Sequence, residues 1–355
     1  MTLTETAFWA RRAIKYGSIF LVILILSRFM FMGAHYLYRL VFPKPPPAPQ
    51  VTFGKMPTLI FDSRFPSNNL TYTLELPSKN LPSFPSQVNV FFMPTPQSSF
   101  ADLTESKTIA QALGFLSDGT ALSDTIYRFA HKDVPATLDI NIVNKTLSLS
   151  YNLGEDSELL KQRLRSREEA ITVARSYLGR ADLFVEDLEN GSQEVEFLAS
   201  GPEALMRVGS LSEANFVRVN FLRRSYDGLP VITPRNDRGT VWLLVSGETS
   251  GARQVIAGEY HYFPIDEGQR ATYPIKTPDS AFEELKMGKG FVIAAPKTGT
   301  SAVMNTNAVV RRVYIGYFDS GKPQQFLQPV YVFDGDEISG FRAIVPAVTN
   351  EYYGN

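Results

Sequence analysis

The sequence predicts an α+β protein, with one N-terminal transmembrane helix followed by an extracytoplasmic domain of antiparallel sheets with helices packed on one face. Three observations support this prediction. One stretch near the N-terminus is long and apolar enough to cross a bilayer, many later segments alternate apolar and polar residues, and only three segments show the helical period. With 355 residues, the chain is long enough for about two domains.

Composition excludes several classes of site. Apolar residues make up 44% of the chain and charged residues 20%, which is typical of a globular protein. Cysteine is absent, so disulfides, Cys-ligated zinc and thiol nucleophiles are excluded. Only three histidines are present, which leaves little room for histidine-based metal or triad chemistry.

The charges are unevenly distributed along the chain. Residues 1–50 carry six basic residues and one acidic residue, whereas residues 51–355 carry 29 basic and 35 acidic residues. A nucleic-acid-binding domain is usually basic. The mildly acidic domain argues against nucleic acid, and the basic N-terminal part suggests the lipid bilayer as a partner.

The apolar stretch at residues 17–38 predicts a transmembrane helix. Arg11, Arg12 and Lys15 precede it and outnumber the two basic residues that follow, so residues 1–16 are expected to form a short cytoplasmic tail. A cleaved signal peptide is the alternative. However, the apolar stretch continues past the usual ~7–15 residues without an A-x-A-like site, which favours an uncleaved anchor.

Arg28 lies near the middle of this span, where an arginine costs about 2.5–3.5 kcal/mol to insert. One interpretation is that its side chain reaches the interface and that flanking apolar residues offset the cost. The other is that Arg28 contacts an acidic residue of another membrane protein. The span itself contains no acidic residue that could serve.

A proline-rich stretch at residues 39–51 predicts a stiff stalk. A first α+β unit is expected at residues 52–155 and a second at residues 156–355, with the boundary in the polar sequence GEDS. No later segment is apolar enough to cross the membrane again.

Three segments are predicted to be helices. Ser166 and Glu169 form the pattern of a capping box, Thr277 precedes a proline at the start of another helix, and Thr104 is a possible cap of the first. The predicted helices cover residues 102–115, 158–178 and 278–287.

Period-two segments separated by turn residues predict strands. They cover residues 71–76, 88–93, 125–130, 136–142, 146–151, 216–223, 240–246, 253–264, 309–318, 326–333 and 340–346.

No motif for catalysis, cofactor binding or metal binding emerges, and the sequence is interpreted as that of a non-enzyme without cofactors. Lys297-Thr298-Gly299 matches the KTG element of penicillin-binding enzymes, but the S-x-x-K motif that they also need is missing. His35, His131 and His261 are far apart in sequence. A cell-wall or glycan-acting enzyme with two carboxylates across a cleft is the alternative.

Several short motifs resemble bacterial envelope modules. The stretch VRVNFLRRSYDGLPVI resembles the strand–turn–strand of PepSY domains, with a G-x-P-V element at residues 228–231. The segments PDSAFEELKMGKG, VRRVYIGYF and LQPVYVFDGD are similar to parts of the membrane-anchored YycH and YycI regulators. The resemblance covers residues 160–350 at most. It implies an extracytoplasmic α+β body, possible repeated PepSY-like units, and a regulatory role without catalytic residues.

Together these observations predict a single-pass cell-membrane protein with a cytoplasmic N-terminus, whose extracytoplasmic domain binds another membrane or envelope protein. Regulation of a membrane sensor is the more specific form of this expectation. A structural subunit of an envelope complex is a further alternative, in which Arg28 joins the anchor to partner helices.

Overall fold

The N-terminal apolar segment is a single helix, α1 (Leu3–Val41), in the computed structural model of the chain. The structure describes residues 3–42, 47–61, 70–78, 80–201, 204–294, 297–298, 301–304, 307–336 and 340–354. Part of the expected stalk and Gly299 of the KTG match therefore lie outside the described residues. Within these ranges, Ala7–Arg39 is the one helix long and apolar enough to cross a membrane.

Helix α1 begins earlier than the predicted span. Residues 3–16, which were expected to belong to a separate tail, are part of the same helix as the span. None of its most apolar 18-residue window is buried against protein, and that window has a mean hydropathy of 2.0. The chain divides into two compact units, Met1–Ala48 and Pro49–Asn355. The second unit is called the domain below.

Four further α-helices lie in the described part of the domain. They are α2 (Asp102–Ala112), α3 (Arg167–Gly179), α4 (Glu186–Glu189) and α5 (Pro278–Lys286).

Twenty strands are found in the described part of the chain. They are β1 (Thr71–Leu74), β2 (Gln87–Phe92), β3 (Thr120–Ala121), β4 (Ile126–Ala130), β5 (Ala136–Asn141), β6 (Thr146–Tyr151), β7 (Gln193–Ser200), β8 (Leu205–Arg207), β9 (Phe216–Phe221), β10 (Val231–Ile232), β11 (Val241–Ser246), β12 (Val255–Tyr260), β13 (Asp266–Pro274), β14 (Phe291–Ala294), β15 (Lys297–Thr298), β16 (Ser301–Met304), β17 (Asn307–Val310), β18 (Arg312–Phe318), β19 (Phe326–Asp334) and β20 (Arg342–Pro346).

Two large sheets organise the domain, and the α+β class is confirmed. Sheet A has nine antiparallel strands in the order β3-β4-β5-β6-β12-β11-β9-β7-β8. Sheet B has seven strands, with the path β10-β18-β19-β2-β13 and with β14 joined through β20 to β19. Its pairings are antiparallel except for the parallel pair β10–β18.

Strand pairing crosses the boundary expected between residues 155 and 156. Strand β6 pairs with β12 inside sheet A, and β2 pairs with β19 inside sheet B. Each sheet therefore takes strands from both sides of that boundary, because hydrogen-bonded neighbours need not be close in sequence. The two sheets, and not the two predicted sequence segments, are the building blocks of the domain.

Helix α3 covers one face of sheet A. In β11, the side chains of Val241, Leu243 and Val245 belong to the core that includes Ala170 and Ala174 of α3. The alternating residues Trp242 and Leu244 lie in a smaller cluster with Leu159 and Ile256. Because successive strand side chains point to opposite faces, β11 is buried on both sides.

Helix α5 packs on sheet B. Ala281 and Leu285 of α5 share a core with Ala343 and Val345 of β20. Both large sheets thus carry a helix, as expected for antiparallel sheets with helices on one face.

The helix starts were predicted with mixed success. Ser166 caps α3 as predicted, because its Oγ accepts the N–H of Glu169 at 3.0 Å. The second bond of the predicted capping box differs: the Glu169 carboxylate accepts the N–H of Arg165 at 2.9 Å and not that of Ser166. Thr277 caps α5 as expected. The cap predicted at Thr104 is wrong, since α2 begins at Asp102.

Candidate functional site

A cavity of about 390 Å³ lies where one end of sheet A meets the loop that follows β18 of sheet B. We call it the junction cavity. It is lined mainly by polar and charged residues, including Asn144, Thr146, Arg235, Arg238, Thr240, Glu259, His261, Ser320 and Lys322. Its volume falls in the range of about 300–1,000 Å³ found for small-molecule sites.

The loop that follows β18 and lines the cavity is held by hydrogen bonds within the loop and by one contact from sheet A. Oδ1 of Asp319 accepts the N–H of Gly321 at 3.0 Å, and Oγ of Ser320 accepts the N–H of Lys322 at 3.2 Å. Nδ1 of His261 lies 3.2 Å from the carbonyl oxygen of Gly321. Because a carbonyl only accepts, that nitrogen carries the hydrogen. His261 therefore connects sheet A to this loop.

Arg238 is one of the cationic groups that line the cavity. Its guanidinium carbon lies 4.5 Å from the centre of the Trp242 ring, a cation–π distance. Nε1 of Trp242 donates to Oε2 of Glu259 at 2.9 Å, which holds the ring in place. The indole thus connects the arginine to the carboxylate that lines the same cavity.

Within the described part of the chain, Arg238 has no ion pair within 4 Å, and its Nε is buried without a hydrogen-bond partner. Burial lowers the pKa of Arg238, the nearby cations Arg218 and Arg235 lower it further, and the carboxylates of Asp237 and Glu259 oppose part of this decrease. The side chain nevertheless stays protonated at neutral pH, since arginine has a pKa of about 12.5 or more. Arg238 is thus a partly desolvated cation that forms no direct ion pair with a carboxylate of the described residues.

The neighbouring cations differ in this respect. Nη1 of Arg218 donates to Oε2 of Glu196 at 2.5 Å in a buried pair. Arg235 donates to the exposed Asp237 at 3.2 Å. Of the two arginines that line the cavity, Arg238 is therefore the one without an ion pair to a described carboxylate.

The loop that carries Arg235 and Arg238 is a tight turn between β10 and β11. These two residues form an isolated antiparallel bridge, and Oγ1 of Thr233 donates to the carbonyl oxygens of both, at 2.9 and 3.2 Å. The N–H of Gly239 donates to Oδ1 of Asn220 at 3.1 Å. The position of Arg238 is thus set by backbone contacts before any ligand arrives.

A buried ion cluster lies beneath the cavity wall. Nη2 of Arg223 donates to the carbonyl oxygen of Phe263, a residue that lines the cavity. The other nitrogens of Arg223 pair with Asp187 at 2.6 Å and with Asp319 at 2.7 Å. Asp319 also holds the loop of sheet B, so the cluster connects the cavity to the core.

The residues singled out from the sequence lie elsewhere. Arg11, Arg12, Lys15 and Arg28 belong to α1. His261 lies within a segment that was predicted to be a strand, and no role was predicted from the sequence for Arg238 or Glu259. The sequence feature that could have located Arg238 is the charged turn PRNDRG, residues 234–239, which lies between two predicted strands.

The described residues contain no group of three or more His, Asp or Glu side chains arranged to hold a metal ion. The cavity has one lining carboxylate, Glu259, and at least three cationic side chains, Arg235, Arg238 and Lys322. This balance is opposite to that of the acidic domain as a whole, and it suits an anion better than a cation.

Comparisons with known proteins assign no family. No known family and no curated protein match this chain. One solved structure, the crystal structure of an uncharacterized protein from Eubacterium rectale ATCC 33656 at 1.45 Å resolution, is 12% identical over 76% of this chain and 86% of that chain. Its TM-score of 0.36 is too low to support an argument about fold or function.

Proposed function

We propose that this protein is a single-pass membrane-anchored binding protein of the cell envelope, with a cytoplasmic N-terminus and a domain that captures a partner outside the cytoplasm. The supporting observation is the contrast between α1, whose apolar surface is unburied, and the domain, which has its own cores. An apolar surface of that size must be shielded from water, and the hydrocarbon core of a bilayer shields a helix of this length.

Binding, and not catalysis, is the role that the junction cavity favours. A glycan-acting enzyme needs two carboxylates in the cleft. Glu259 is the lining carboxylate, and it already accepts a hydrogen bond from Trp242. Regulation of a membrane sensor, the role implied by the resemblance to PepSY and YycH/YycI proteins, is the more specific form of the proposal.

The test is fractionation and protease accessibility in the native host, with a tag at the C-terminus. We expect the full chain to stay in the membrane fraction after alkaline carbonate washing, and protease added to spheroplasts to remove the domain. A variant lacking residues 17–38 is the matched control and should be found in the soluble fraction. Release of the full chain by carbonate, or complete protection of the domain, would contradict the proposal.

A further inference from the structure

We infer that the junction cavity binds a small organic anion, whose carboxylate or phosphate group pairs with the guanidinium of Arg238. This inference rests on the proposed binding function and specifies the chemical class of the ligand.

The first argument is the state of Arg238. A buried polar group without a hydrogen bond costs about 1–3 kcal/mol, and more if it is charged. The unpaired Nε of Arg238 carries such a cost in the free protein. Because protein encloses that nitrogen, a ligand would pair with the terminal Nη groups of Arg238 and supply the counter-charge that no ion pair within the described residues provides. Guanidinium groups match the geometry of carboxylates and phosphates with two parallel hydrogen bonds.

The second argument is preorganisation. Trp242 supports the guanidinium from one side, and the bridge between Arg235 and Arg238 holds the turn. The loop that carries Lys322 is fixed by Ser320 and His261. Groups that are already positioned lose little conformational freedom on binding, so more of the interaction energy appears as affinity.

The third argument concerns the size and lining of the cavity. A concave space of about 390 Å³ accommodates a small molecule and not a folded surface. Hydroxyl and amide side chains from Asn144, Thr146 and Thr240 line it beside the cations. Such neutral donors and acceptors suit the hydroxyl groups of a sugar acid or a phosphorylated sugar.

The experiment is isothermal titration calorimetry of the full chain in nanodiscs of zwitterionic phosphatidylcholine at low salt. Citrate, inorganic phosphate and glucose 6-phosphate are the anionic probes, and glucose is the uncharged control. We expect saturable binding of at least one anion with one site per chain, no binding of glucose, and weaker binding as the salt concentration rises. Citrate and the phosphate probes together distinguish a carboxylate from a phosphate ligand.

Arg238→Gln should weaken the binding of that anion at least tenfold. Arg128→Gln is the matched control, because it removes one positive charge from a pair with Asp139 outside the cavity lining. The control should retain the wild-type affinity within about twofold. Arg238→Lys keeps the charge and should bind more tightly than Arg238→Gln, provided that all variants show wild-type thermal transitions.

Two results would overturn the inference: no binding of any anionic probe at millimolar concentration, or equal binding by wild type and Arg238→Gln. These outcomes are separate from the fractionation test. If the chain were soluble in cells, the proposed anchor would fail while the titration could still detect the anion.

Discussion

Arg223 and Asp319 form a buried ion pair that joins the two sheets, with 2.7 Å between Nε and Oδ2. Arg223 follows strand β9 of sheet A, and Asp319 follows strand β18 of sheet B. Asp187 of α4 pairs with the same guanidinium. Burial by itself would lower the pKa of Arg223, but the two carboxylates outweigh it and raise that pKa above its ordinary value.

Removing this cation should destabilise the domain severely. Arg223→Met would leave Asp187 and Asp319 facing each other without a counter-charge, and breaking a buried pair in this way costs about 3–5 kcal/mol. The control is Arg128→Met, which breaks the more exposed pair with Asp139 and should cost about 0–1 kcal/mol. Urea unfolding of the full chain measures both, and similar losses for the two variants would contradict the structural role of Arg223.

The buried tyrosines should limit stability at high pH. Burial raises the pKa of Tyr331 to about 12, above the value of about 10 for an unfolded chain. The folded state therefore retains the phenolic proton more tightly. The contribution of Tyr331 to stability is complete below pH ~10 and decreases as the pH rises through ~12, by up to about 1.4 kcal/mol per pH unit.

Tyr331→Phe tests this pH dependence. The variant loses the hydrogen bond to the carbonyl oxygen of Lys276, so we expect it to be less stable at neutral pH. Above pH ~10 its free energy of unfolding should fall less steeply than that of the wild type. Equal slopes of unfolding free energy against pH for the two proteins would show that Tyr331 titrates normally in the fold.

The contribution of the N-cap of α3 to the stability of the domain should be measurable by a single substitution. Ser166→Ala removes the oxygen that accepts the N–H of Glu169, and such caps contribute about 0.5–2 kcal/mol. Ser176→Ala, at an exposed position of the same helix, is the matched control and should be neutral or slightly stabilising. Thermal unfolding in parallel separates the two effects, and a Ser166→Ala variant as stable as its control would contradict the capping role.

Arg28 should matter for partner contact more than for insertion. A central arginine costs about 2.5–3.5 kcal/mol, so Arg28→Leu should insert as well as the wild type or better. If an acidic or polar residue of a neighbouring helix pairs with Arg28, the variant should co-purify with less of that partner. Ser27→Leu, at the adjacent position, is the control. Equal recovery of partners with both variants would indicate that Arg28 only reaches the interface.

Local sequence signals located most of the regular elements. The period-two segments at residues 136–142 and 146–151 are strands β5 and β6 with nearly the predicted bounds, because a strand with two distinct faces repeats every second residue. Strand β13 was not predicted, because its first half is the polar run DEGQR, which lacks the alternation of apolar and polar residues. Strand β10 has only two residues, too few to show a period.

The sequence by itself determined the class of the domain, the apolar N-terminal helix and the caps at Ser166 and Thr277, because each depends on residues within a few positions of one another. The order of the strands and the junction cavity were decided by tertiary structure. Arg238, Glu259 and Lys322 lie on separate segments and line one cavity only once sheets A and B have formed. No local sequence pattern predicts that these three side chains lie close together, because their proximity depends on which strands pair across long stretches of chain.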